Sequence, residues 1–195
     1  QAKKSFKSSA FFGLDPKFFI NYDTGKNRNA NDVFHIMGIK YSKHIGGVIR
    51  LMCAWERNDT SSRSLILQNR ELQKIYNNDI DKNLLEEAIK IAIPLNLKFP
   101  VSQNASLYYM ATKNGDGITV RKFIEDMKLT STLGPLNPIR KAVTKISDMR
   151  IEKQLLSSHH YSVILSRVWD CYKNKKRLSA KDLIIKTNDI LTSIK

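Results

Sequence analysis

Tyr161-Ser-Val-Ile-Leu-Ser-Arg-Val-Trp-Asp-Cys-Tyr172 sets Tyr161, Ile164, Leu165, Val168, Trp169 and Tyr172 at intervals of three and four residues. That spacing follows the 3.6-residue turn of an α-helix rather than the two-residue alternation of a strand. A helix here matters beyond its own length, because a β-hairpin built around Ser157-Ser158-His159-His160 would have been the wing of a winged-helix domain. The stretch before it repeats the pattern. Asn137 followed by Pro138 is a good helix start, and Ile139, Ala142, Val143, Ile146 and Met149 give an inner stripe. Before that again, Thr119 reads as the cap of a helix with Val120, Phe123, Ile124 and Met127 on one face.

Toward the N-terminus, Asp32 reads as the cap of one long helix carrying Val33, Ile36, Met37, Ile45, Ile49 and Met52 to about Trp55, bent at Gly46-Gly47. Further runs cover about Ser62 to Tyr76, with Leu65, Ile66, Leu72 and Ile75 inward, and Asp81 to Pro94, with Leu84, Leu85, Ala88, Ile89 and Ala92 inward. Leu95 to Thr112 lacks a clear period and reads as a short strand or an irregular helix ending at the Asn114-Gly115-Asp116-Gly117 turn. Ser179 reads as the cap of a last helix containing Leu183, Ile184, Thr187, Ile190, Leu191 and Ile194. The expected fold is mainly α, a compact multi-helix domain with at most a minor β element. Its core spans 32–195, with possible sub-lobes at 32–114 and 115–195, preceded by a flexible basic arm over 1–31.

The arm carries Lys3, Lys4 and Lys7 and then an aromatic segment with Phe11, Phe12, Phe18 and Phe19. These four rings could pack on the chain's own core, and they are also the candidate oligomerisation contacts. No run reaches the roughly 18 apolar residues of a membrane-spanning helix. Asp15-Pro16-Lys17 interrupts the one apolar stretch that could act as a secretory signal. Cys53 and Cys171 are too few and too far apart for a disulfide framework and read as buried thiols of a reducing compartment. The expected location is therefore intracellular, cytoplasmic or nuclear, or within a virion.

Charge is the most informative total. Lys and Arg number 33 against 18 Asp and Glu, a net +15. Residues 1–57 hold 10 basic and 4 acidic residues, 58–120 hold 7 of each, and 121–195 hold 16 and 7. A surface kept charged only for solubility would mix signs throughout, as the middle third does, so the two flanks read as a polyanion-binding surface. Nucleic acid is the expected partner, ahead of an anionic membrane or an acidic protein.

Local enzyme motifs are missing: no P-loop, no Gly-x-Gly-x-x-Gly, no His-Glu-x-x-His and no Gly-x-Ser-x-Gly. A site assembled from distant residues would leave no such trace. The histidines His35, His44, His159 and His160 have no Cys, Asp or Glu at ligand spacing, so no metal and no cofactor is expected. Asp79, Asp81, Glu86 and Glu87 read as a solvated helix start and not as a paired-carboxylate site.

Two clusters carry the binding expectation. Residues 118–148 resemble a helix-turn-helix in layout, and Arg140, Lys141, Thr144 and Lys145 would face outward from its second helix. Lys173, Lys175, Lys176, Arg177 and Lys181 follow Trp169 and Tyr172, which suits a single strand if the rings stack on bases, although the same rings complete an apolar stripe and read more naturally as core. Arg50, Arg57, Arg121 and Lys122 complete the candidate set. The expected function is a non-enzymatic coat- or nucleocapsid-type protein that holds an RNA or single-stranded backbone and contacts its own copies through the arm. The alternative is a helix-turn-helix DNA regulator or replication protein, and an enzyme or adaptor is a third class.

Overall fold

The last long helix forms where its periodicity puts it. Ser157 caps it, its hydroxyl accepting from His160 N–H, while His160 Nδ1 accepts from Ser157 N–H at 3.2 Å. This computed structural model describes residues 30–60, 67–186, 189 and 191. Phe11, Phe12, Phe18 and Phe19, together with Arg63, Leu65, Ile66, Thr187, Ile190 and Ile194, lie outside the described residues.

Eight α-helices follow in order among the described residues: α1 (Ala30–Ile36), α2 (Ser42–Glu56), α3 (Asn69–Asn78), α4 (Lys82–Ala92), α5 (Val101–Lys113), α6 (Gly117–Lys128), α7 (Pro138–Ile151) and α8 (Ser158–Lys173). Single 3-10 turns occur at Ile93–Leu95, Thr130–Thr132 and Lys181–Leu183, and none of the described residues forms a strand. The mainly α reading is correct.

The centre is α5, the segment whose sequence looked least regular. It packs against α2, α4, α6 and α8, and nine of its 13 residues are buried. A helix enclosed on all sides has no polar face, so the amphipathic period that reveals a surface helix is missing. Its buried polar side chains are held instead. Gln103 donates to the Ser158 carbonyl at 3.1 Å and accepts from Ser162, Asn104 donates to the Phe99 carbonyl, and Ser106 donates to the Val48 carbonyl. The expected short strand or irregular helix over 95–112 is thus corrected to a regular α-helix from Val101 onward, preceded by the end of a 3-10 turn at Leu95 and a non-helical stretch over 96–100.

Other boundaries move for local reasons. The expected single helix over 32–55 is two helices, because Gly38 (φ 71°) and Tyr41 (φ 57°) turn the chain in the left-handed region between α1 and α2. Gly46-Gly47 is no bend but part of α2. A Cβ at Gly46 would stand 2.7 Å from Asn31 Oδ1, the atom that accepts from Gly46 N–H, so the glycine lets α1 approach α2. The first helix begins at Ala30, with Asp32 inside its first turn rather than capping it. Gly115 (φ 90°) swings α5 into α6, and the helix starts at Gly117, which places Thr119 inside the first turn and not at the cap.

Asn137 caps α7 as expected, its Oδ1 accepting from Ile139 N–H at 2.9 Å. Ile139, Ala142 and Ile146 are buried, whereas Val143 and Met149 are only half-buried. After α8, Ser179 and Asp182 bond each other's backbone N–H, but the turn they cap ends at Leu183. Ile184 is extended (φ −86°, ψ 122°), so no long helix runs through 181–186. The buried apolar side chains form one continuous cluster from Ala30 to Leu191, with Trp169, Tyr108, Phe34, Phe99 and Phe123 its largest members.

Candidate nucleic-acid interface

A lysine or arginine binds a polyanion only to the extent that the fold leaves it unengaged, and the cations fall into three groups here. The first donates to the protein's own carbonyls. Arg140 reaches the Leu133 carbonyl, Lys141 the Leu178 carbonyl at 2.8 Å, and Arg57 the Cys53 carbonyl at 3.0 Å. Lys98 bonds the carbonyls of Met127 and Lys128 at the end of α6, where a cation meets the negative end of the helix dipole. Burial lowers its pKa. Arg150 holds the carbonyl of Leu97 and the hydroxyl of Tyr161.

The second group is ion-paired. Arg121 meets Glu87 at 2.7 Å, with the Tyr108 hydroxyl donating to the same carboxylate. Lys173 meets Asp116 at 2.6 Å, and Lys176 meets Asp170 at 3.3 Å. In the third group, side chains have no hydrogen-bonded or ionic partner among the described residues; Lys43, Arg70, Lys74, Lys90, Lys153 and Lys181 belong to it, and so do five residues of the candidate set, Lys122, Lys145, Lys175, Arg177 and Arg50.

Four of these five lie around one end of α8. Lys175, at φ 52°, and Arg177 stand in the exposed loop after the helix, closed by Asn174 N–H to the Asp170 carbonyl and Lys176 N–H to the Cys171 carbonyl. Lys141 ties that loop to α7, and Lys145 is one turn further along the same face. Lys122 precedes by one turn Asp126, whose carboxylate accepts from the Tyr172 hydroxyl at 2.7 Å. The Lys173–Asp116 pair closes the start of α6 onto the same helix end. Cations at this end also complement the α8 dipole.

Arg50 on α2 and Arg57 at its C-terminal cap stand apart, on the helix that packs against α1, α3 and α5. The sequence-selected set is therefore divided into a C-terminal cluster and two α2 arginines. Thr144 is exposed on α7, as expected.

Of the rings beside the cluster, Trp169 is core and Tyr172 is half-buried against it. Trp169 is 1% exposed and packs edge-on against Phe123, which also meets Tyr172 at 5.1 Å. Burial and the Asp126 carboxylate hold the Tyr172 hydroxyl far above its ordinary pKa. Neither ring is presented for stacking on a base.

The other chemical groups are engaged elsewhere. Asp81 caps α4 with bonds of 3.0 Å from Asn83 and Leu84 N–H, and Glu86 pairs with Lys40 at 2.6 Å. His159 Nδ1 lies 2.7 Å from Thr60 Oγ1. Among the described residues, no three His, Cys, Asp or Glu side chains converge as a metal site. An open pocket of about 410 Å³ lies between α2, α3 and α5, lined by Met52, Cys53, Glu56, Ile75, Asp79 and Met110 among others. Two carboxylates, Glu56 and Asp79, face one cation, Lys113, in its lining, which leaves the pocket without the positive excess that an anion site needs. Burial raises the Cys53 thiol, with Glu56 adding to the effect, so the sulfur is held as a thiol rather than as a nucleophilic thiolate. No described helix is long and apolar enough to cross a membrane. No protein-family model, curated protein or solved structure matches the chain.

Proposed function

We propose that this protein holds a nucleic-acid backbone through the cationic end of α8, in the manner of a coat- or nucleocapsid-type protein and without reading base sequence. The observation that carries the reading is the gathering of Lys122, Lys145, Lys175 and Arg177, all lacking partners among the described residues, around one helix end of a +15 chain. Three ammonium groups and one guanidinium set around a helix end match phosphates, which repeat regularly whatever the sequence. Base readout by α7 would need its forked donor, Arg140, free to enter a groove. Arg140 and Lys141 are instead engaged with the carbonyls of Leu133 and Leu178, which leaves Thr144 and Lys145 as the outward residues of the helix-turn-helix alternative and weakens it.

The test is affinity for single-stranded RNA, single-stranded DNA and duplex DNA of mixed sequence across a salt series. Binding that weakens steeply with salt, with little sequence preference, is the expected result. A flat salt response in the parent protein overturns the reading.

A further inference from the structure

We propose that the opposite end of the helix pair α7–α8 is a docking surface for an anionic lipid bilayer, formed by aliphatic loop tips that hydrogen bonds gather into one place. Leu97 is 84% exposed, Ile151 79%, Leu155 96% and Leu129 57%. Exposed leucines scattered singly are ordinary on a soluble protein. These are not scattered. Arg150 bonds the Leu97 carbonyl and is followed directly by Ile151. Lys98, next to Leu97, bonds the Lys128 carbonyl, which precedes Leu129. Leu155 follows the turn that ends α7, where Lys153 takes φ 56° and Gln154 N–H closes onto the Met149 carbonyl. Three connections, 93–98, 128–130 and 151–156, thus converge on the Lys98–Arg150 knot.

Two features single out a bilayer as the occupant. Side chains exposed to this degree stand on convex ground, which inserts between headgroups and does not receive a partner helix. The tips are also flanked by Lys153, Lys98 and Arg150, and by Lys128 in its ion pair with Glu125, against Asp148 and Glu152 as the other neighbouring acids, a small basic excess on a +15 chain. Anionic headgroups complement that excess, whereas a second copy would bring the same +15 against it. Shallow aliphatic insertion combined with basic attraction gives reversible membrane attachment.

The surface is distinct from the candidate nucleic-acid interface. Arg150 meets Tyr161 near the start of α8, while Lys173 meets Asp116 at its end, roughly 18 Å away at 1.5 Å per residue. Both could be occupied at once, joining a polyanion to a membrane.

The experiment is co-flotation of the full chain with phosphatidylcholine vesicles, and with the same vesicles containing phosphatidylserine, comparing the parent with Leu97→Ser/Leu155→Ser. Both positions are solvent-exposed, so thermal melting of the double variant should match the parent. The parent should float with phosphatidylserine vesicles, and the double variant should bind about tenfold or more weakly, given the apolar surface lost. Its RNA affinity should be unchanged. In a Leu155→Trp variant, the added fluorescence should shift to the blue on these vesicles and be quenched by brominated lipid.

Equal vesicle binding by parent and double variant, or no quenching, overturns the proposal. So does a parent oligomer that the double substitution dissociates, which would assign the tips to contacts between copies.

Discussion

A lysine's position in the sequence says nothing about whether its ammonium is already in use. Lys141 and Lys175 belong to the same candidate set, yet one donates to the Leu178 carbonyl and the other is exposed without a side-chain partner among the described residues. The two should separate in experiment. Lys141→Ala should lower stability by about 1 kcal/mol, the cost of a partly exposed charged hydrogen bond, and should change nucleic-acid affinity less than Lys175→Ala does. Lys175→Ala should weaken binding, and by relieving charge without breaking a bond it should leave thermal melting nearly unchanged. Paired melting and binding curves check both. Asp182 gives a pH prediction. Hydrogen bonds from the Ser179 side chain and then its backbone N–H, with Arg167 nearby, hold its carboxyl below the ordinary value of about 3.9. A depressed carboxyl contributes stability that is present above its unfolded pKa and is lost as pH falls through the folded one. The turn at 179–183 should therefore loosen only below about pH 4, seen as faster amide exchange there. Asp182→Asn should abolish that pH step.

Among the elements, α5 and α2 show opposite limits of pattern reading. α2 presents an apolar face, and its sequence announces it. α5 is enclosed by four helices, so Gln103, Asn104 and Ser106 interrupt its apolar run with polar groups; Gln103 and Ser106 bond partners more than fifty residues away, and the Asn104 amide donates to the nearby Phe99 carbonyl. Gly46 is the sharpest case, since a glycine pair in a helical pattern reads as a bend, whereas here it is a contact. Alanine at this site would gain up to about 1 kcal/mol of helix propensity. It would also displace the Asn31 amide, which bonds both Gly46 N–H and the Lys43 carbonyl at 3.2 Å. Gly46→Ala should therefore be neutral or destabilising in the parent but stabilising by about 0.5–1 kcal/mol in an Asn31→Ala background. A double-mutant cycle by chemical denaturation reads the difference, and additivity would refute the contact argument.

For the whole molecule, the net charge of +15 sets the scale of any interaction with phosphates, while the fold decides how many cations take part. If Lys175 and Arg177 each contact one phosphate of a single strand, Lys175→Glu/Arg177→Glu should reduce the slope of log affinity against log salt by at least about 1.4. An unchanged slope would remove these two residues from the interface. Much of the fold was legible from residues alone. The series from Tyr161 to Tyr172 and the Asn137-Pro138 start are local signals, and both helices form there. Trp169 was equally legible as core, because it continues an apolar stripe, while Tyr172 at the end of that stripe is half-buried. The last expected helix fails by residue 184, after a single Ser179–Asp182 turn.

The site was less legible. Arg140, Lys141 and Lys173 share the composition of Lys145, Lys175 and Arg177, and they differ only in what folding brings within reach. The apolar tips left no periodic trace, since Leu97, Leu129, Ile151 and Leu155 belong to three separate connections. The sequence by itself determined the helical class, the basic flanks and the absence of local enzyme motifs, because these follow from spacing and composition. Only the tertiary structure decided which cations are engaged and which loop ends meet, because hydrogen bonds such as Lys98 to Lys128 and Arg150 to Leu97 join residues 30 and 53 positions apart.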